Sequence, residues 1–82
     1  LTSEKKAILL ELDEALPNEN WDFEKLSESI NGFLTEKNLK MREVGPLLRA
    51  AITGTKQSPS ILDIMVVLGQ SETSARIRMA CQ

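Results

Sequence analysis

Histidine and tyrosine are absent from this 82-residue chain, and cysteine occurs once, at Cys81. Without histidine, neither a Ser-His nor a Cys-His nucleophile pair can be built. A single thiol cannot close a disulfide within the chain, and zinc would lack its usual nitrogen and sulfur ligands. Such cysteine usage fits a reducing compartment, so a cytoplasmic location is expected. The longest apolar run, residues 64–68, is far short of the ~20 residues that span a bilayer, so no membrane partner is expected. No signal peptide is visible. There is no glycine-rich phosphate loop, no strand-like alternation and no internal repeat. Asp13 and Glu14 are adjacent, which points them about 100° apart on a helix, so they read as a solvated face and not as an acid–base pair. The chain on its own offers no catalytic constellation and calls for no cofactor.

Apolar residues make up 41% and charged residues 27%, the proportions of one soluble globular domain, here taken as residues 1–82. Leu1 stands where a start would have Met, and the chain reads as a fragment of a longer protein. Net charge is −2, but unevenly divided. Residues 1–38 hold four Lys and nine Asp/Glu, hence −5, whereas residues 39–82 hold six Lys/Arg and three Asp/Glu, hence +3. A polyanionic partner should therefore meet the second half.

The apolar spacing is helical throughout and predicts an all-α, compact bundle of about five short helices: two longer ones over 1–38 and three shorter ones over 39–82. The first covers residues 3–16, with Ser3 as N-cap, a stripe of Ile8, Leu12, Ala15 and Leu16, and Pro17 as its stop. The second covers 22–37, with Phe23, Leu26, Ile30, Phe33 and Leu34 on its inner face. Asn38 is a left-handed C-cap onto which Leu39 folds back. Trp21 reads as core packed over the start of this helix and not as a base-stacking platform. The third covers 41–53, with a kink or break expected at Gly45-Pro46 and Gly54 as C-cap. Residues 54–58 read as a loop. The fourth helix covers 59–68, with Ser58 as N-cap and Pro59 in the first turn; its nearly all-apolar surface predicts the buried centre of the second half. Gly69 ends it. Ser71 caps a fifth helix that runs to about Cys81 and carries Arg76 and Arg78.

What remains is a binding surface. Arg42 and Arg49 are seven apart and share a helix face, Thr53 lies one turn further on, and Lys56 follows in the loop. The start of the fourth helix at Ser58-Pro59-Ser60 adds free N–H groups and a positive dipole end. Cations, a helix start and small hydroxyls suit a phosphate backbone. A solvated surface explains the same charges equally well on spacing alone.

The segment from Gly45 to Gln82 adds more. Leu48-Arg49-Ala50-Ala51-Ile52-Thr53-Gly54, then Ser58-Pro59, then Ile61-Leu62-Asp63-Ile64 and Val67-Leu68-Gly69 resembles the C-terminal end of bacterial-type glutamyl-tRNA synthetases. That family shows a Leu-Arg-Ala-Ala-Leu-Thr-Gly stretch, a Ser/Thr-Pro helix start and a helix ending in Leu-Gly. The resemblance covers the whole chain, closely over its second half and loosely over its first. It implies an anticodon-binding helical cage, with the catalytic domain, its ATP and its magnesium lying upstream of this chain. The implied partner is glutamate tRNA, and some family members also accept glutamine tRNA; the parent enzyme is expected to be monomeric. By position, Arg49 matches the family's arginine facing the anticodon loop, Ser58 and Pro59 the helix-start pair near the bases, and Ile61 an apolar residue that packs on a base. Two departures stand out: Leu47 separates Pro46 from Leu48-Arg49, and Ser60 stands where the family commonly has Gly.

Two competing functions are open to the same sequence. The acidic first half could dock a protein, making the chain a helical protein–protein interaction module with no RNA role. A helix-turn-helix DNA reader is disfavoured, because residues 59–68 offer no base-reading polar face.

Overall fold

The computed structural model describes residues 2–54 and 60–82. These form five helical segments: α1 (Ser3–Ala15), α2 (Phe23–Lys37), α3 (Met41–Thr53), α4 (Ile61–Leu68) and α5 (Gln70–Ala80). Among the described residues there is no strand. Gly69 alone joins α4 to α5, so the last two segments form one bent unit and the chain packs as four rods. The positive φ of Gly69, 84°, is what lets the backbone turn there without strain. α5 is the hub, packing on α1, α3 and α4, while α2 packs on α1 and α4.

Local chemistry explains the ends. Thr2, not Ser3, caps α1: its Oγ1 accepts from the Lys5 N–H at 3.2 Å. Leu16 leaves the helix in an extended conformation (φ −69°, ψ 150°), because Pro17 disfavours helical geometry in the residue before it. Asp22 caps α2 through its Oδ1, which accepts from Lys25 N–H at 2.8 Å. Asn38 takes the expected left-handed conformation (φ 56°, ψ 42°), and Leu39 N–H donates to Leu34 O at 2.8 Å, closing the return that the sequence predicts. Gly54 ends α3 at φ 80°.

α3 departs from expectation. It runs unbroken through Gly45-Pro46 and, at 13 residues, equals α1 in length. Proline costs the helix one donor, the bond that residue 46 would give to Arg42 O. The first turn is secured independently, by Glu43 reaching back to accept from Lys40 N–H at 2.8 Å.

The core is Leu9, Leu12 and Leu16 from the first helix and its cap, Leu26, Ile30, Phe33 and Leu34 from α2, Val44, Leu48 and Ile52 from α3, Ile61 and Met65 from α4, and Ile77 from α5. Three assignments shift. In α1 the inner stripe is Leu9, Leu12 and Leu16; Ala15 is exposed and Ile8 only half-buried. Phe23 stands 49% exposed and is not part of the buried face of α2. α4 is only partly a buried centre: Ile61 and Met65 are fully buried, Leu62, Ile64, Val66 and Leu68 pack against the core half-buried, and Val67 is 85% exposed. Trp21 behaves as the sequence predicts, half-buried against the core, with its indole N–H donating to Met65 O at 2.7 Å. No described helix is long and apolar enough to cross a membrane.

Candidate nucleic-acid interface

The second half carries six cations, and the fold divides its four arginines into two sets. Arg76 and Arg78 on α5 are used internally. Arg76 Nη1 donates to Ile52 O at 2.7 Å, and its Nε pairs with Glu72 at 3.0 Å, so the guanidinium closes the C-terminal end of α3. Arg78 Nε donates to Asp13 Oδ2 at 3.3 Å, and Ser74 Oγ donates to the same oxygen at 3.0 Å. The Asp13 side chain is therefore 7% exposed and ties α1 to α5; it is not the solvated residue that its neighbours in sequence indicate.

The other set lies along α3. Arg42, Arg49 and Thr53 fall within about 40° on a helix of 3.6 residues per turn, the shared face that their spacing predicts. Val44, Leu48 and Ile52 occupy the inner side of the same helix, which holds the outer face in register. Arg42 is exposed and Arg49 half-buried. Neither guanidinium has a hydrogen bond or ion pair among the described residues. Thr53 Oγ1 donates to Arg49 O at 2.6 Å, so its proton is committed within the helix.

Arg49 is placed by Gly45, one turn earlier. A Cβ at residue 45 would stand 2.8 Å from Arg49 Nη1 and 4.0 Å from Cζ, so the guanidinium lies across the bare glycine backbone. No spacing rule in the sequence reveals this contact; it depends on the side-chain path of Arg49.

α4 begins with exposed Ser60 as N-cap, and the Ser60 side chain makes no capping bond. Lys56, Ser58 and Pro59 lie outside the described residues, so the expected Ser58 cap gives way to Ser60 as the cap the structure describes. Ile61 is a correction. As the first residue of α4 it turns inward and is 2% exposed, a core side chain that is not presented to a base. Among the described residues, no group of three or more His, Cys, Asp or Glu side chains converges to hold a metal.

Among the described residues, the Cys81 thiol is displaced. Burial pushes the Cys81 thiol above its ordinary range; the Lys6 charge opposes that rise and Asp13 adds to it. Cys81 Sγ lies 3.6 Å from Lys6 O, at the α1–α5 contact and not on the α3 face.

Comparison with known proteins bears on this cationic face. A family model described as an anticodon binding domain matches residues 1–81. The chain is 45% identical over 82 residues to a glutamate–tRNA ligase of Methylobacillus flagellatus, covering all of this chain and 18% of that protein. It is 40% identical over 80 residues to glutamate–tRNA ligase 2 of Ruegeria pomeroyi, covering 98% of this chain and 17% of the relative. A third ligase, from Roseobacter denitrificans, is 39% identical over 80 residues, again 98% of this chain and 17% of the relative. The chain thus spans less than a fifth of the length of these curated relatives. No solved structure matches it. With the match running over nearly its whole length, the chain belongs to the anticodon-binding-domain family.

Proposed function

We propose that this chain binds the anticodon loop of glutamate tRNA, as the RNA-reading part of a cytoplasmic glutamate–tRNA ligase. The observation that supports this reading is the Arg49 guanidinium on α3, without a partner among the described residues, in a chain of the anticodon-binding family. Single-stranded loops are recognised by bases stacking on flat side chains and by hydrogen bonds to base edges, and a planar guanidinium serves both. Arg42, two turns away and free of partners among the described residues, suits a backbone phosphate. Ser60 and the first N–H groups of α4 are further donors that an RNA acceptor could use. Attachment of glutamate, with its ATP and magnesium, belongs to the parts of the ligase that this chain does not span.

The test is a fluorescence-anisotropy titration of a labelled glutamate-tRNA anticodon stem-loop, repeated across salt. Arg49→Ala is expected to weaken binding by about 1–3 kcal/mol, or roughly five- to 150-fold. Arg42→Ala is expected to flatten the slope of log K against log salt by about 0.7, the loss of one phosphate contact on a single strand. Absence of any salt-dependent binding by the parent chain overturns the reading.

A further inference from the structure

We infer that Gly45 is a positioning residue for RNA recognition, because its missing side chain provides the shelf on which the Arg49 guanidinium lies. This rests on the anticodon-loop reading and deepens it.

Three observations converge. First, the space is specific. A Cβ at position 45 would meet Arg49 Nη1 at 2.8 Å, closer than two such atoms approach, while its other neighbours, Met41 Cε at 3.9 Å and Arg49 Cζ at 4.0 Å, lie at ordinary contact. Among the described glycines, Gly32, Gly54 and Gly69 have nothing within 4 Å of an added Cβ, so the close approach occurs at Gly45. Second, no positive φ asks for glycine there, although Pro46 crowds a Cβ on the residue before it. Gly45 lies within continuous helix and is not among the positive-φ glycines, which are Gly54 and Gly69. Glycine in a helix interior is worse than any ordinary residue except proline, so local propensity argues against it at position 45. Third, the guanidinium it supports has no partner among the described residues. Its donors are held in place by packing alone and stay available to an incoming acceptor.

The consequence follows from flexibility. The atom that a Cβ would strike is the far end of a long side chain, so an added methyl moves the guanidinium and leaves the helix intact. A long side chain released from its resting place must be ordered again on binding, which costs affinity. A methyl at 45 therefore converts a pre-placed arginine into a mobile one.

The experiment is a double-mutant cycle on the 82-residue chain, using the glutamate-tRNA anticodon stem-loop as probe and thermal melting as control. Gly45→Ala is expected to weaken binding roughly three- to tenfold, measured at a temperature where melting curves show both chains folded. In the Arg49→Ala background, Gly45→Ala is expected to change affinity by nothing measurable. The Arg49 Nε–H resonance, identified by its loss in Arg49→Ala, should shift in Gly45→Ala without RNA. Parent affinity in Gly45→Ala overturns the inference. So does an equal loss from Gly45→Ala whether or not Arg49 is present, because glycine would then act on the RNA directly. If Arg49→Ala alone binds as the parent does, the Arg49 contact fails and the inference falls with it. If the parent itself binds no stem-loop, it is the anticodon-loop reading that fails.

Discussion

Replacing Arg76 by methionine separates the two sets of cations. Methionine keeps most of the apolar stem and removes the guanidinium. Two interactions go: the charged hydrogen bond to Ile52 O at 2.7 Å and the i,i+4 pair with Glu72 at 3.0 Å. A hydrogen bond involving a charged group contributes about 1.5–3 kcal/mol. The Arg76 side chain is 42% exposed, so solvent screening puts this one at the lower end, about 1.5 kcal/mol. The exposed pair with Glu72 adds at most about 0.5 kcal/mol. The sum is about 1.5–2 kcal/mol. An 82-residue domain unfolds with an entropy of about 170 cal/mol/K. The expected fall in melting temperature is therefore about 9–12 °C. Circular dichroism at the α-helical minimum reads it directly. Glu72→Gln, which removes the pair and spares the cap on α3, should lower Tm by no more than about 3 °C. The salt slope for stem-loop binding should be the same in Arg76→Met and parent at a temperature where both are folded. The reasoning is refuted if Arg76→Met melts within about 3 °C of the parent, or if its salt slope flattens with no loss of stability.

Other consequences follow from buried partners. Asp13→Ala removes the acceptor shared by Ser74 Oγ and the largely exposed Arg78 Nε and should cost about 1–1.5 kcal/mol in urea unfolding, whereas Glu14→Ala should cost less than about 0.5 kcal/mol. Thr73 is fully buried and its Oγ1 has no hydrogen-bond partner among the described residues, so Thr73→Val, which keeps the shape, should raise stability by about 1 kcal/mol; a loss of stability would show that the hydroxyl is satisfied. Trp21 is the chain's one tryptophan and is bonded to Met65 O, so its emission should report unfolding and stay unchanged on adding the stem-loop. Because burial raises the Cys81 thiol, the folded chain keeps a proton that the unfolded chain releases; stability should fall as pH rises through the ordinary thiol range to the raised value, and Cys81→Ser should remove that dependence.

What could be read in the sequence was mostly local. Asp22, Asn38, Gly54 and Gly69 act within one or two turns of themselves, and each ends or starts a helix where the spacing places it. The family resemblance, carried by residues 48–54 and the motifs after them, is matched over residues 1–81. What could not be read depends on the third dimension. Phe23 and Ile61 both sit at helix starts in apolar patterns, yet one is exposed and the other buried, because the neighbouring helices cover only the second. Asp13, Arg76 and Arg78 look like surface charges until α5 is laid against α1 and α3. The run from Ile64 to Leu68 is apolar on every side, so its composition alone does not reveal that Val67 faces outward. Pro46 signals a break by its chemistry, but the packed inner face of Val44, Leu48 and Ile52 keeps α3 continuous across it.

The central claim is that the α3 face reads an anticodon and is not merely basic. The most direct measurement is competition between two hairpins that are identical in stem and loop length, one with the glutamate anticodon and one with its anticodon bases replaced. The account predicts that the chain prefers the glutamate hairpin by roughly tenfold or more, from one or more base contacts of about 1–3 kcal/mol each, and that Arg49→Ala reduces the preference. Equal affinity for both hairpins, unchanged by Arg49→Ala, would contradict it.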